Sequence, residues 1–408
     1  VSAARSLLST RAVRERCGAI HAAVSAGESR WFRLDAGRLD EAADIVAAVT
    51  RRRYPDLAVP YHSRWRHFEA GGVDRVAAIE AAGGDALADP TERARARIDL
   101  AVVAVLLDAG AGGAWRFRDV PSGLSVGRSE GLGIASLRAF AAGLFSSDPA
   151  RPMRVDAAAL RGLDAGALAA AFQAGPANPL VGLEGRVALL RRLGVAMAAQ
   201  PAWFGEDARP GGLFDALVAT DAGSSPRVAA HDILQALLHT LGDIWPQGAR
   251  LEGIALGDAW RHPQAGGEGA TAGWVPFHKL SQWLAYSLLE PFESAGVRVD
   301  GLDALTGLAE YRNGGLLVDA GVLVPRDAAV FAAPLAPGAE PVVEWRALTV
   351  ALIDALAPRV RQRLGTDERG MPLAAVLEGG TWAAGRELAQ ARRGGEPPFA
   401  IVSDGTVF

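Results

Sequence analysis

Residues 274–323 read WVPFHKLSQWLAYSLLEPFESAGVRVDGLDALTGLAEYRNGGLLVDAGVL, and the reading of the chain turns on this stretch. Its first part repeats Leu280, Leu284 and Leu288 at one-turn spacing, which predicts a helix. Lys279 and Trp283 are four apart and share another face of it, while Pro291 is expected to end or bend it. Lys279 is the only lysine in the chain. Every other fixed cation is arginine, so one retained lysine marks a place that needs a compact ammonium on a flexible stem. Further on, Glu310, Tyr311, Arg312 and Asn313 crowd four polar side chains before Gly314 and Gly315, between apolar runs. The pattern points to a buried polar site. The competing explanation is an accident of composition and a helix end with a glycine cap.

Working outward, 408 residues are enough for two domains or one large one. Half the residues are hydrophobic and 22% are charged, as in a folded globular protein. The net charge is −4 without a basic block, which argues against a duplex nucleic-acid footprint. The longest apolar stretches, such as 99–107, fall short of the ~20 residues that span a bilayer. No nucleic-acid or membrane partner is expected, and the absence of a signal-like start predicts a cytoplasmic protein. Cys17 stands alone, so disulfide frameworks and cysteine-rich zinc sites are excluded. Helical spacing recurs over 3–50, 76–110 and 155–242, and the fold class is mainly α. Strand-like pieces are short: Trp115–Phe117, parts of 249–263, GLLVDAGVLV, DAAVFAA and PVVEW. Soft boundaries near 150 and 325 divide the chain into 1–150, 151–325 and 326–408.

Other motifs carry chemistry less directly. The segment 55–75, PDLAVPYHSRWRHFEAGGVDR, concentrates His62, Arg64, Trp65 and His67 in a proline-broken loop, which fits a substrate wall or a packing loop. GRSEG, around Ser129, has the spacing of a serine-hydrolase elbow but lacks the α/β surroundings of one; the glycine-rich run before a helix also resembles a phosphate cradle. His231 and His239 lie two turns apart without a ligand set around them. Residues 264–273, QAGGEGATAG, have the length and glycine content of a lid. EGGTWAAGRE reads as a turn into a helix on which Trp382 and Arg386 share a face. The tail SDGTVF is expected to pack back on the body.

The stretches YHSRWRHFEAGGVDR, NPLVGLEGR, RPGGLFDAL, GDAWRHP, PFHKLSQWLAYSLLEP, LTGLAEYRNGG, EGGTWAAGRE and SDGTVF together resemble the uracil catabolism protein four family, formerly a domain of unknown function. That resemblance covers nearly the whole chain. It implies a role in a uracil route in which the nucleotide is made, its ring is opened and a ribosylurea compound is left to be broken down. FHKLSQWL and LTGLAEYRNGG also resemble the lysine-bearing helix and the Asp-Tyr-Arg turn of queuosine-nucleotide N-glycosylases, which are helical proteins related in shape to DNA glycosylases. This second resemblance implies a DNA-glycosylase-like helical core, Glu310 as the catalytic carboxylate and Lys279 at a 5′-phosphate. The chain departs from that pattern with Glu for Asp and with Asn-Gly-Gly for Val-Pro-Gln.

The expectation is therefore an N-ribosyl hydrolase acting on a small phosphorylated ribosyl compound, with ribosylurea 5-phosphate as the leading substrate. A carboxylate stabilises the positive charge that develops on the sugar and activates water. Glu310 takes that role, with His278 or Tyr311 as acid for the departing urea. Lys279, Arg312, Asn313 and Arg64 are the candidate phosphate and substrate contacts. Trp65, His67, Trp260, Trp283, Glu378, Trp382 and Arg386 complete the expected walls. No metal or organic cofactor is called for. The alternatives are a binding or channelling protein for a uracil-derived nucleotide and a metal-dependent amidohydrolase.

Overall fold

The apolar periodicity becomes helix along most of the chain, and the protein is mainly α. The computed structural model describes residues 2–108, 110–219, 225–245 and 248–402. Among these, the helices of nine residues or more are α1 (Thr10–Ser25), α2 (Leu39–Arg53), α3 (Pro90–Leu106), α4 (Arg128–Ala141), α5 (Leu183–Ala198), α6 (Ala230–Thr240), α7 (Lys279–Ser294), α8 (Tyr311–Asp319), α9 (Glu340–Leu364) and α10 (Trp382–Arg393). Among the described residues, no helix is long and apolar enough to cross a membrane. The expected packing of the tail 403–408 lies outside the described residues.

The chain forms two compact units, each discontinuous in sequence. Among the described residues, unit 1 takes those within 2–62, 248–282 and 301–402, and unit 2 those within 63–245 and 283–300. Helix α7 gives its first turn to unit 1 and the rest to unit 2.

In unit 1 the 25-residue α9 is the axis, and α1, α2 and α8 pack on it. Its opening, PVVEW, is helix and not the strand its β-branched residues predict. Pro341 sits in the first turn, where a missing N–H costs nothing, and burial of Val342, Val343 and Trp345 overrides local propensity. An aromatic cluster fills the space beside it, with the Phe331 and Phe399 rings 4.1 Å apart and Trp345 edge-on to Phe399 at 4.9 Å. Short antiparallel pairs stitch the margins: 32–34 with 323–325, 249–251 with 254–257, and 259–261 with 274–276.

Two further expectations and one competing explanation change in this unit. EYRNGG is the start of a helix, so the competing explanation of a helix end with a glycine cap does not hold. Gly314 lies inside α8, where a Cβ would come within 2.7 Å of the Trp345 ring, so the glycine serves close helix packing instead of a cap. EGGTW is no turn; Leu377–Thr381 form a π-helical turn continuous with α10. The run 264–273 is tied down by Arg16 of α1, which donates to the Ala265 carbonyl at 3.4 Å and to Thr271 Oγ at 3.2 Å, so the free loop a lid requires is not there.

Unit 2 is built around α3, whose start follows from its sequence: Asp89 caps the N–H of Glu92 and Pro90 occupies the first turn. The run Leu100–Leu106 is wholly buried, against α4 and α5 among others. Asp99, in the same helix, is buried and bound by Arg209 at 2.7 Å and by the Gly211 N–H at 2.6 Å, which fixes the RPGG loop before the next short helix. The WRF stretch yields a strand at Phe117–Asp119, paired with Leu124–Val126. Helix α7 runs through Pro291 to Ser294 instead of ending there.

Candidate active site

Glu310 caps α8. Its Oε2 accepts the Arg312 N–H at 2.8 Å and its Oε1 the Asn313 N–H at 2.5 Å. Each oxygen keeps a second lone pair, so capping does not exhaust the carboxylate. The group is buried, and burial pushes its pKa above the usual glutamate range. The two N–H groups and the positive charges of Lys279 and His62 pull it down, but burial prevails.

Lys279 opens α7 inside a strut that also holds Glu310. Asp258 accepts the Lys279 N–H at 3.1 Å, and its main-chain oxygen accepts the N–H groups of Phe277 and His278. Arg346 from α9 grips Asp258 with two bonds of 2.8 and 2.7 Å and donates Nε to the carbonyl of Ala309 at 3.2 Å. One guanidinium thus fixes both the start of the lysine helix and the residue before Glu310. Burial would raise the Asp258 carboxyl, but Arg346, Trp260 and the Lys279 N–H outweigh it and hold it at about 2. On the other side, Arg14 of α1 donates to the carbonyls of Asp303, Ala304 and Leu305 and so fixes the segment leading to Glu310.

A second carboxylate, Glu378, sits in the π-helical turn. Such turns re-aim side chains and are frequent at functional sites. Its Oε2 is 2.8 Å from His62 Nδ1, and its Oε1 accepts from Arg53 at 2.9 Å and from the Tyr54 hydroxyl at 3.2 Å. Burial acts to raise it, yet His62 and Arg53 hold it below the ordinary glutamate value. Asn313 Oδ1 accepts from Thr381 Oγ at 2.9 Å and ties this turn to the start of α8. The Trp382 ring lies 5.9 Å from the His62 ring, and the Arg386 guanidinium stands over Trp382 at 5.4 Å. Two buried carboxyls are thereby shifted in opposite directions, with His62 acting on both. Such divergence is how a protein sets one carboxyl apart for proton transfer and keeps another charged.

Of the residues expected at the site, Glu310, Lys279, Asn313, Glu378, Trp382 and Arg386 all belong to unit 1. Trp260 joins them indirectly, donating Nε1 to Asp258 at 2.7 Å. His278 is turned elsewhere: Nε2 lies 2.9 Å from the Leu7 carbonyl, and burial pushes the imidazole pKa down, so the ring is poorly placed to give up a proton. Tyr311 is 38% exposed, with the Arg312 guanidinium over its ring at 4.8 Å. Arg312 itself donates Nη1 to the Gly395 carbonyl at 2.9 Å. Arg64, Trp65, His67 and Trp283 belong to unit 2. There, Ser129 Oγ donates to Asp108 and not to a histidine, so GRSEG is no hydrolase elbow. No three His, Cys, Asp or Glu side chains among the described residues could hold a metal ion.

Arg53 and Tyr54 carry no site signal in the sequence, and His62 stands out there only within the loop that fits a substrate wall or a packing loop. Their partner Glu378 lies more than three hundred residues away.

Residues 6–408 match a family described as "Protein of unknown function (DUF1688)". The chain is 37% identical to "Uracil catabolism protein 4" of Lachancea kluyveri, over 94% of this chain and 93% of that one. It is 38% identical to "Protein urg3" of Schizosaccharomyces pombe, over 98% of each. The chain belongs to the uracil catabolism protein 4 family. Similarity at this level runs through both units, so the elements that carry Glu310, Lys279, His62 and Glu378 all lie within the matched span.

Proposed function

We propose that the chain acts in uracil catabolism and hydrolyses the N-ribosyl bond of ribosylurea 5-phosphate or a related nucleotide. The relatives' names supply the pathway. The single observation that supports the chemistry is Glu310, a buried carboxyl raised in pKa beside Lys279 and His62 and opposed by the depressed Glu378. Water attacks C1 of the ribose and Glu310 accepts its proton, while the carboxylate's charge stabilises the sugar cation that develops as the C1–N bond breaks. The electron pair of that bond goes to the urea nitrogen, which takes a proton from His62. Glu378, ionised and bonded to His62 Nδ1, stabilises the imidazolium and directs Nε2 as the donor. His62 thus replaces His278 and Tyr311 as the acid. Lys279 holds the 5′-phosphate as a point charge, and Trp382 walls the ribosyl group. The products are ribose 5-phosphate and urea.

Mass-spectrometric product analysis of ribosylurea 5-phosphate incubated with the purified protein tests this. Urea with ribose 5-phosphate is the expected outcome. Ammonia and carbon dioxide would move the chemistry to the urea carbonyl, and an unchanged substrate would remove the N-ribosyl hydrolase reading altogether.

A further inference from the structure

Unit 2 contains a buried guanidinium with one whole edge, Nε and Nη2, unpaired. Arg64 is fully buried. Its backbone N–H donates to Ser287 Oγ of α7 at 2.9 Å, and the segment around it is fastened to the same helix. Ser63 Oγ bonds Glu290 at 2.6 Å, Trp65 Nε1 bonds the Ser287 carbonyl at 2.7 Å, and Arg66 bonds Glu290 at 2.6 Å. The guanidinium is therefore positioned by backbone that cannot shift easily. Its Nη1 is heavily used: it lies 3.0 Å from Asp108, 2.9 Å from His67 Nδ1, and donates to the carbonyl and hydroxyl of Ser129 at 3.1 and 3.3 Å.

The remaining edge, Nε and Nη2, is buried and has no partner. These two N–H groups form the parallel fork that matches a two-oxygen acceptor. Trp283 stands beside it, with its ring centroid 5.6 Å from the Arg64 Cζ and an Nε1–H that is likewise buried and unpaired. His67 packs edge-on to Trp283 at 5.6 Å. Donors left bare in a protein interior are costly, and native proteins rarely keep several together. All three orphans here are donors, and among the described residues no buried side-chain acceptor is left unpaired beside them. A cation or a neutral donor gains nothing from such a cluster; an oxyanion fits it.

We infer that Arg64 and Trp283 form an oxyanion-binding site in unit 2, taking the paired oxygens of a phosphate or carboxylate group on the Nε/Nη2 edge of Arg64. The site is argued from unit 2 residues alone and does not depend on the reaction proposed at Glu310.

Calorimetric titration of the full chain with inorganic phosphate, and separately with acetate, tests it. The Lys279→Met chain is the background, so that a phosphate contact at Lys279 does not contribute. Saturable binding of either probe is expected, phosphate alone or acetate alone naming the ligand class. Adding Trp283→Phe, which keeps the ring and removes one donor, should weaken binding about threefold to tenfold. Arg64→Lys should weaken it more, because an ammonium cannot present the fork. Circular dichroism confirms that each variant is folded, and Trp283→Phe serves if Arg64→Lys is not. Absence of saturable binding by both probes, or the same affinity with and without Trp283→Phe, would overturn the inference and leave the three donors to buried water. Turnover of ribosylurea 5-phosphate without such binding would remove this inference and leave the proposed reaction standing.

Discussion

The clusters around Glu310 and Arg64 are both buried and polar, and they solve burial in opposite ways. At Glu310 the central group is titratable, both its oxygens accept backbone N–H groups, and its neighbours push two carboxyls in opposite directions. At Arg64 the central group stays charged throughout the physiological range, one edge is neutralised by Asp108 and the other is empty of partners. The first arrangement is suited to moving protons. The second is suited to holding something that brings its own oxygens. What separates them is not charge or burial but which hydrogen-bond capacity has been left over.

The largest expected effect breaks the first half of that contrast. Glu310→Gln keeps an acceptor at the cap and removes the charge, so turnover should fall roughly 10²–10⁴-fold with little change in ligand affinity. At neutral pH the carboxamide loses one of the two cap bonds but no longer holds a buried charge, so the melting temperature should stay close to wild type. A carboxyl raised in the native state loses stability as pH rises from its unfolded value through its native one, and above that window the charge is held at a cost. A markedly lower melting temperature with activity per folded molecule intact would make Glu310 a structural cap. For the same reason, wild-type turnover should fall on the acid side through a pKa above the ordinary glutamate value.

Lys279→Met is expected next. Loss of a charge-assisted contact in a pocket is worth roughly 1.5–3 kcal/mol, so a phosphorylated ligand should bind about tenfold to a hundredfold more weakly. The dephosphorylated compound should be nearly unaffected, and Lys279→Arg should not restore the loss. Equal losses for both ligands, measured by titration, would make the lysine a packing residue.

Asp258→Asn sharpens the comparison within unit 1, since Asp258 is shifted in the opposite sense to Glu310. A carboxyl lowered from 3.8 to about 2 contributes about 2 kcal/mol to native stability. That contribution is present above the unfolded value and is lost as pH falls from about 4 to about 2. Urea unfolding should show the variant less stable by that amount at pH 7 and closer to wild type at pH 2. An unchanged difference across that range would separate Asp258 from the acid sensitivity of the fold.

The smallest expected change is in unit 2. Trp65→Phe removes the bond to the Ser287 carbonyl and keeps most of the apolar area, so unfolding free energy should fall by about 1 kcal/mol. No change would mean that the 63–68 segment is held by its other bonds to α7 alone.

The amino-acid sequence determined the elements. Leucine spacing made α7 a helix, an Asp-Pro start made α3 one, and the single lysine singled out the turn of α7 that the structure binds through Asp258 and Arg346 to Glu310. Each of these follows from neighbours a few residues apart, where periodicity and capping act. Local rules failed where long-range packing set the outcome. PVVEW became helix because α9 buries it, Gly314 of EYRNGG lies inside a helix because Trp345 packs against it, and EGGTW took a π-helical turn. Glu378 meets Arg53 and His62 from more than three hundred residues away, and the helix that fixes the Arg64 loop lies more than two hundred residues from it along the chain. Spacing along a chain carries no record of such meetings. Only the tertiary structure decided which carboxyl would be held charged, which would be raised, and which arginine edge would be left open, because each depends on how burial and partners from distant segments balance at one point.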